Sequence, residues 1–381
     1  MSMIDLNRRV LVVGAGWSGA VVAERLTAAG CRVDVFERAN VVGGHSRAEV
    51  LEGVVYEPNG PHIFHTSNPE VASYVRRFGM DRTFEFSIIT MVHPSPDLEA
   101  IPLSWPPQLE ELTVLPNWSA VVDELNALPP EPTGADFETY VISMMGRSLY
   151  DLFVRDYTAK QWGMPATELS SSFAPKRVEL RRDGNRRLFR DTWEFFPAGG
   201  ANSIIERIIE TASVTFGSEL DLTAVAQLQK DYDAIVVTTA LDEFVGAAEP
   251  LAWRGVKLES VHHPDVPVDG FVSPAYVINW PDRRYDFTRT IETKHASGQQ
   301  IRGSVVSHEY PGSPTRHYPV HTVAARDDRR NREFKEQVQE ALDRPVYFCG
   351  RLANYTYINQ DQAIEQAFAC AESVLAAFGE R

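Results

Sequence analysis

Three glycines in Gly14-Ala15-Gly16-Trp17-Ser18-Gly19 are spaced G-x-G-x-x-G, and an acidic residue, Glu37, follows them. Glycines at this spacing allow a tight turn and a close approach of backbone N–H groups to a pyrophosphate, while a helix starting at the turn adds partial positive charge. Glu37 would accept hydrogen bonds from ribose hydroxyls and would repel a 2′-phosphate. That combination is dinucleotide chemistry, of the kind that does not use a phosphorylated ribose.

The string continues from Arg38 into Gly43-Gly44, and this second glycine pair resembles FAD proteins, in which it lets the chain pass against the cofactor. An ordinary left-handed turn is the plain alternative. Asn59-Gly60-Pro61-His62-Ile63-Phe64-His65-Thr66 places two histidines three residues apart, but no third ligand at fixed spacing accompanies them, so a buried histidine beside the cofactor is favoured over a metal site. Lys176 to Arg190 holds seven basic residues against Glu179 and Asp183, a local excess of +5. A leaving diphosphate needs permanently charged, bidentate donors, although most arginines in such a run belong to a solvated face.

Residues 9–14 are a short valine-rich run closed by glycine, as in a buried parallel strand. Ser18–Ala29 has helical spacing and ends at Gly30, and 33–37 is a second strand, so the glycine motif lies in a β-α-β unit. Two similar strand signals lie far away, at 234–238 and 345–349, and residues 361–378 form an amphipathic helix. Between them, 106–175 shows helical patterns at 120–128, 137–145 and 148–160, and 250–325 is rich in Val, Ile, Tyr and Thr, favouring antiparallel strands. The fold class is therefore α/β: a discontinuous Rossmann-like FAD-binding domain with an inserted helical subdomain and an antiparallel β-sheet domain.

Composition bounds the function. With 37 Lys+Arg against 52 Asp+Glu the 381-residue chain carries −15, which disfavours general nucleic-acid binding. Three cysteines without a C-x-x-C pair suggest neither a disulfide framework nor a zinc site. Neither a signal-peptide core nor a membrane-spanning run is read, so a reduced, cytoplasmic protein is expected.

The strings NGPHIFHT, Tyr157-Thr158-Ala159-Lys160-Gln161-Trp162-Gly163, Phe287 to Glu292, Glu309-Tyr310-Pro311 and Gly350-Arg351-Leu352-Ala353 with Tyr355 and Tyr357 occur in this order. Together they resemble the bacterial UDP-galactopyranose mutases, from residue 9 to about 378. The resemblance implies an isomerase in which N5 of reduced FAD attacks the anomeric carbon of a nucleotide sugar, and a homodimer. It extends the cofactor set to Trp17, Ser18, Arg38, His45, His62, Ile63, Gly350 and Arg351. It also implies Arg177 and Arg289 as diphosphate arginines, with His62 and Asn359 beside them in the catalytic set. The implied substrate contacts are Phe153, Tyr157, Thr158, Trp162, Arg254, Asn279, Glu309, Tyr318 and Tyr357. The expected domains are 1–80, 195–250 and 330–381 for FAD, 106–180 for the helices with a mobile substrate loop near 177–190, and 81–105 with 251–329 for the sheet.

Three positions depart from the family pattern: Leu188 replaces a loop tyrosine, Asn359 a carboxylate, and Phe86 an asparagine. They leave open a deoxysugar or another nucleotide in place of UDP-galactose. An FAD oxidoreductase of the amine-oxidase or phytoene-desaturase type shares the opening fingerprint but has no use for a diphosphate clamp. A binding protein without catalysis is the third alternative.

Overall fold

The computed structural model describes residues 8–79, 82–172 and 178–379. Its central strand, Arg9–Val13, is apolar on both faces and completely buried from Val10 to Val12, as a parallel sheet covered on two sides requires. The five-stranded sheet runs in the order Ser213–Thr215, Arg32–Phe36, Arg9–Val13, Ala234–Val237, Val346–Phe348, with every pair parallel. Val10 and Val12 face helices Trp17–Ala28, Ala201–Ile209 and Gln360–Gly379, whereas Leu11 and Val13 face Val225 and Val338 of helices Leu222–Leu228 and Arg326–Ala341. The two ends of the chain and a middle piece thus build one doubly wound layer, the discontinuous Rossmann-like unit expected from the sequence.

A second sheet has six strands, in the order Trp253–His263, Ser304–Pro319, Arg289–Ile291, Val277–Asn279, Ile88–Val92, Ile101–Trp105. Its pairs are antiparallel except that Val277–Asn279 runs parallel to Ile88–Val92. The register puts Glu309 opposite Arg289, Arg289 opposite Asn279, and Asn279 opposite Thr90. Because side chains alternate with period two, these four stand in one row on one face.

The helical layer contains Trp118–Asn126, Phe137–Met145 and Asp156–Trp162 around a core of Val121, Val141, Met145 and Leu149. Asp136 caps the second helix through a reciprocal pair with Thr139. The sequence predicts one helix over 148–160; the structure breaks it into a short helix, Arg147–Leu149, a π turn, Tyr150–Arg155, and the helix Asp156–Trp162, which ends at the left-handed Gly163. A small third sheet joins Phe64–Thr66, Trp193–Phe196 and Arg82–Thr83. Among the described residues no helix is long and apolar enough to cross a membrane. Cys31, Cys349 and Cys370 are buried free thiols.

Candidate active site

A cavity of about 1000 Å³ runs along the C-terminal edge of the parallel sheet, from Ser218 and Glu219 past the glycine turn to His62, Arg351 and Asn359. Gly14, Gly16, Trp17, Ser18, Glu37, Arg38, Gly43, Gly44 and His45, expected from the sequence as cofactor contacts, line it. The glycines divide the work. A Cβ on Gly19 would collide with the Gly14 carbonyl, so this glycine lets the helix pack on the strand. On Gly16 a Cβ would meet no protein atom within 4 Å, so this glycine keeps the cavity open. The 20-residue helix Gln360–Gly379 also begins at the wall, with Asn359 and Gln360 in the lining, so two helix N-termini face the space.

The lining fits FAD. Asn59 Nδ2, Thr239 Oγ1, His317 Nε2 and Gln360 Oε1 belong to cavity-lining residues and are buried without a partner among the described residues, as expected of groups awaiting a polar ligand. Sequence reasoning missed all four, although Asn59 and Gln360 adjoin the predicted His62 and Asn359. Glu37 differs in detail: its carboxylate oxygens accept from the N–H groups of Ala15 and Ala39, both at 2.8 Å, tying the strand end to the glycine turn. Each oxygen keeps a second lone pair for a ribose hydroxyl. Arg38 pairs with Glu243 at 3.2 Å. The Ile63 side chain lies in an apolar cluster with Phe86 and Tyr276 rather than in the lining, so only its main chain stays near the site. Gly350 is likewise absent from the lining; a Cβ there would strike Ser18 Oγ.

Three imidazoles gather at the far end. His45 and His317 stack with ring centroids 4.2 Å apart, and His62 Nδ1 lies 2.6 Å from the Gly60 carbonyl. Burial and then the Arg351 charge bring His62 down to about 3 and His317 to about 4, so both are neutral at physiological pH. Burial, and next His317, lowers His45 as well.

The row from the second sheet approaches the turn that carries His62, where a Cβ on Gly60 would lie 3.2 Å from Glu309. Arg289 donates from Nε and Nη2 to the two carboxylate oxygens of Glu309, at 2.8 and 2.7 Å, and Thr288 donates to the same fully buried carboxylate at 3.1 Å. Burial works against the guanidinium charge, but Glu309 outweighs it and holds Arg289 firmly protonated. Nη1 of Arg289 makes no hydrogen bond among the described residues. Next to it, Asn279 Oδ1 is buried and unpartnered. Trp162, Tyr318 and Tyr357 form one aromatic group, with centroids 5.4–6.3 Å apart, and the Arg351 guanidinium lies 5.6 and 5.2 Å from the two tyrosine rings. Burial raises Tyr157, and pushes Tyr318 up to about 12, so both hydroxyls remain donors.

Other predicted substrate contacts have structural roles. Arg254 donates to the Gln161 and Lys160 carbonyls at 2.6 and 2.8 Å, closing the C-terminus of helix Asp156–Trp162. Phe153 is 3% exposed and packs in the helical core beside Trp105. Thr158 is buried. Lys160, not singled out beforehand, sends Nζ to four carbonyls, of Trp280, Asp282, Tyr285 and Phe287, at 2.6–3.1 Å, and burial brings it down to about 8.

Four of the five described arginines of the basic segment are held in ion pairs. Arg190 pairs with Glu179 and Asp183, Arg187 with Glu194, and Arg186 with Glu111. Arg181, 3% exposed, pairs with Glu179 and donates to the carbonyls of Asn185, Arg187 and Leu188, pinning the loop. Arg177 lies outside the described residues. Leu188 and Phe86 meet: the Leu188 N–H donates to the Phe86 carbonyl at 2.6 Å, and both side chains join the cluster of Tyr276 and Phe189.

The family model described as UDP-galactopyranose mutase matches residues 152–357, and a model of NAD(P)-binding Rossmann-like domains matches 12–78. The chain is 26% identical to a probable UDP-galactopyranose mutase of Klebsiella pneumoniae, over 97% of this chain and 95% of the relative. It is 25% identical to a dTDP-fucopyranose mutase of Escherichia coli, over 96% and 97%. The crystal structure of a reduced UDP-galactopyranose mutase superposes with a TM-score of 0.77 at 17% identity, covering 97% of this chain and 96% of the other.

Proposed function

The chain belongs to the UDP-galactopyranose mutase family, flavin-dependent enzymes that interconvert pyranose and furanose sugars, and on that premise we propose that it acts on a nucleotide-diphosphate sugar, UDP-galactopyranose in the first instance. The observation that carries this reading is Arg289, fixed by Glu309 in the row beside Asn279, with Tyr157 and Tyr318 close enough to feel its charge. A cation whose position is set by Glu309 needs no reorganisation when a diphosphate departs, which is where electrostatic catalysis gains most. Tyr157 and Tyr318 stay protonated and can donate to the same phosphates. Trp162 and Tyr157 offer aromatic faces to the base. His62 is neutral and presents an imidazole without charge, while the helix N-terminus at Asn359 supplies positive potential at that end. FAD, when bound and reduced, supplies the nucleophilic nitrogen directed at the anomeric carbon. Arg177 belongs to this proposal through the resemblance alone, as does a homodimer; a cytoplasmic location accords with the free thiols.

The test is isomerisation of UDP-galactopyranose, with pyranose and furanose forms separated chromatographically, with and without dithionite. Reduction that fails to raise turnover of any nucleotide sugar would sink the reading. A second substrate reading, a deoxysugar such as the dTDP-fucose of the Escherichia coli relative, is favoured by the Leu188–Phe86 contact, where the family pattern has two polar residues. Competition between UDP-galactopyranose and a dTDP-deoxysugar decides between them by kcat/KM.

A further inference from the structure

Glu57 is 2% exposed, and among the described residues no cation pairs with it. Three donors converge on its carboxylate: the His62 backbone N–H at 2.8 Å, the Tyr276 hydroxyl in a short contact, and the Thr293 hydroxyl at 3.4 Å. Tyr276 immediately precedes the strand Val277–Asn279, and Thr293 follows the strand Arg289–Ile291. Glu57 thus bridges the main chain of the turn lining the cavity and the ends of the two strands that carry Asn279 and Arg289. The turn has little freedom of its own: Gly60 is left-handed, and a Cβ there would lie 3.2 Å from Glu309. Gln360 holds the other side, donating to the His62 carbonyl at 2.9 Å.

We propose that Glu57 is a positioning residue of this site, its carboxylate holding the cofactor-facing turn at His62 in register with the strands that carry Asn279 and Arg289. The inference rests on the reading that His62 faces the flavin and Arg289 the diphosphate. The ionised carboxylate accepts all three bonds; once protonated it must itself donate, so one bond is lost or reversed, and the Tyr276 hydroxyl is the partner free to turn. Burial without a counter-charge pushes Glu57 up to about 7, which puts this change near neutrality. The charged neighbours face elsewhere: Lys294 binds the Pro267 and Gly303 carbonyls, Glu292 takes Ser273 and Ser304, and Arg289 is committed to Glu309.

The experiment follows the absorbance of oxidised flavin in the FAD-loaded protein between about pH 5.5 and 8.5, alongside kcat and KM under reducing conditions. Wild type should show a spectral transition near neutrality, and Glu57→Gln should be locked in the low-pH spectrum. The kcat of Glu57→Gln at about pH 8 should match the low-pH plateau of wild type, about tenfold or more below wild type at that pH, with KM moved less than about threefold. Tyr276→Phe removes a bond that holds the carboxylate's pKa down, so its midpoint should move upward; Lys160, the other site group titrating in this range, is untouched by that change. A transition surviving in Glu57→Gln, or an unmoved midpoint in Tyr276→Phe, overturns the proposal. Should Glu57→Gln fail to fold, Tyr276→Phe decides alone. A wild-type protein that takes up no flavin defeats the family-based reading itself, a separate outcome.

Discussion

Replacing Gly16 and Gly19 by alanine, one at a time, separates cofactor binding from folding. A Cβ on Gly19 would sit 3.0 Å from the Gly14 carbonyl carbon, closer still to its oxygen, and 3.4 Å from Val12. The first obstacle is backbone and cannot rotate aside, so helix Trp17–Ala28 must lift from the sheet, and overpacking of this kind costs about 1–3 kcal/mol. At Gly16 the backbone has φ −78° and ψ −172°, which alanine adopts without strain. Loss of unfolded-state freedom stabilises by about 0.4–1 kcal/mol and loss of a helix-capping glycine offsets roughly that, so Gly16→Ala should leave the apoprotein within about 0.5 kcal/mol of wild type. Its methyl, however, opens onto the space where a pyrophosphate must approach the helix N-terminus. Losing one charge-assisted N–H contact forfeits roughly 1.5–3 kcal/mol, a rise in the FAD dissociation constant of roughly ten- to a hundredfold. Urea unfolding of the apoproteins and FAD titration by flavin fluorescence supply both numbers. A Gly16→Ala protein that binds FAD like wild type, or unfolds as readily as Gly19→Ala, refutes the assigned division of labour.

Glu309→Gln removes the counter-charge of Arg289, and breaking a buried ion pair this way costs about 3–5 kcal/mol in urea denaturation. UDP should recover more stability in this variant than in wild type, because its diphosphate replaces the missing charge; equal recovery argues against Arg289 as the phosphate site. Glu57 binds its proton more tightly folded than unfolded, so it makes stability fall as pH rises from about 4.5 to about 7 and level off above, by roughly 3 kcal/mol in all. In Glu57→Gln, unfolding free energies measured across that window should lack this slope. Lys160→Met strips the ammonium from four carbonyls and should raise KM for the nucleotide sugar about tenfold while changing kcat less, because the helix it anchors carries Tyr157 and Trp162; a loss confined to kcat would place Lys160 in the chemistry instead.

What could be read from the sequence was whatever depends on near neighbours. The valine run, the glycines and Glu37 lie within one β-α-β unit, so spacing alone brought them together, and Gly14, Gly16 and Glu37 line the cavity. The four-residue row Glu309, Arg289, Asn279 and Thr90 was visible only as scattered members of motifs, because register between strands fixes it. The π turn at Tyr150–Arg155 has no periodic signature, so an uninterrupted helix was the natural expectation there. Glu57 was invisible for the opposite reason: a lone glutamate after a strand reads as exposed, and only the fold brings Tyr276 and Thr293 to it.

The basic segment shows how far local charge can mislead. Its excess of +5 is real in sequence, yet Glu111 and Glu194 lie outside the window and cancel Arg186 and Arg187, while Arg181 is spent on the loop's own carbonyls. Such pairs hold a surface in shape but offer an incoming anion little, since each arginine would have to leave a carboxylate to bind it. Arg289 is also paired, but with both donors toward Glu309 on one edge, so Nη1 stays available while the side chain cannot move. On the proposed reading a diphosphate would be met by fixed donors: one immobilised guanidinium and hydroxyls that burial keeps protonated. Preorganisation of that sort, rather than the amount of positive charge, would let a chain of net −15 bind a doubly charged leaving group.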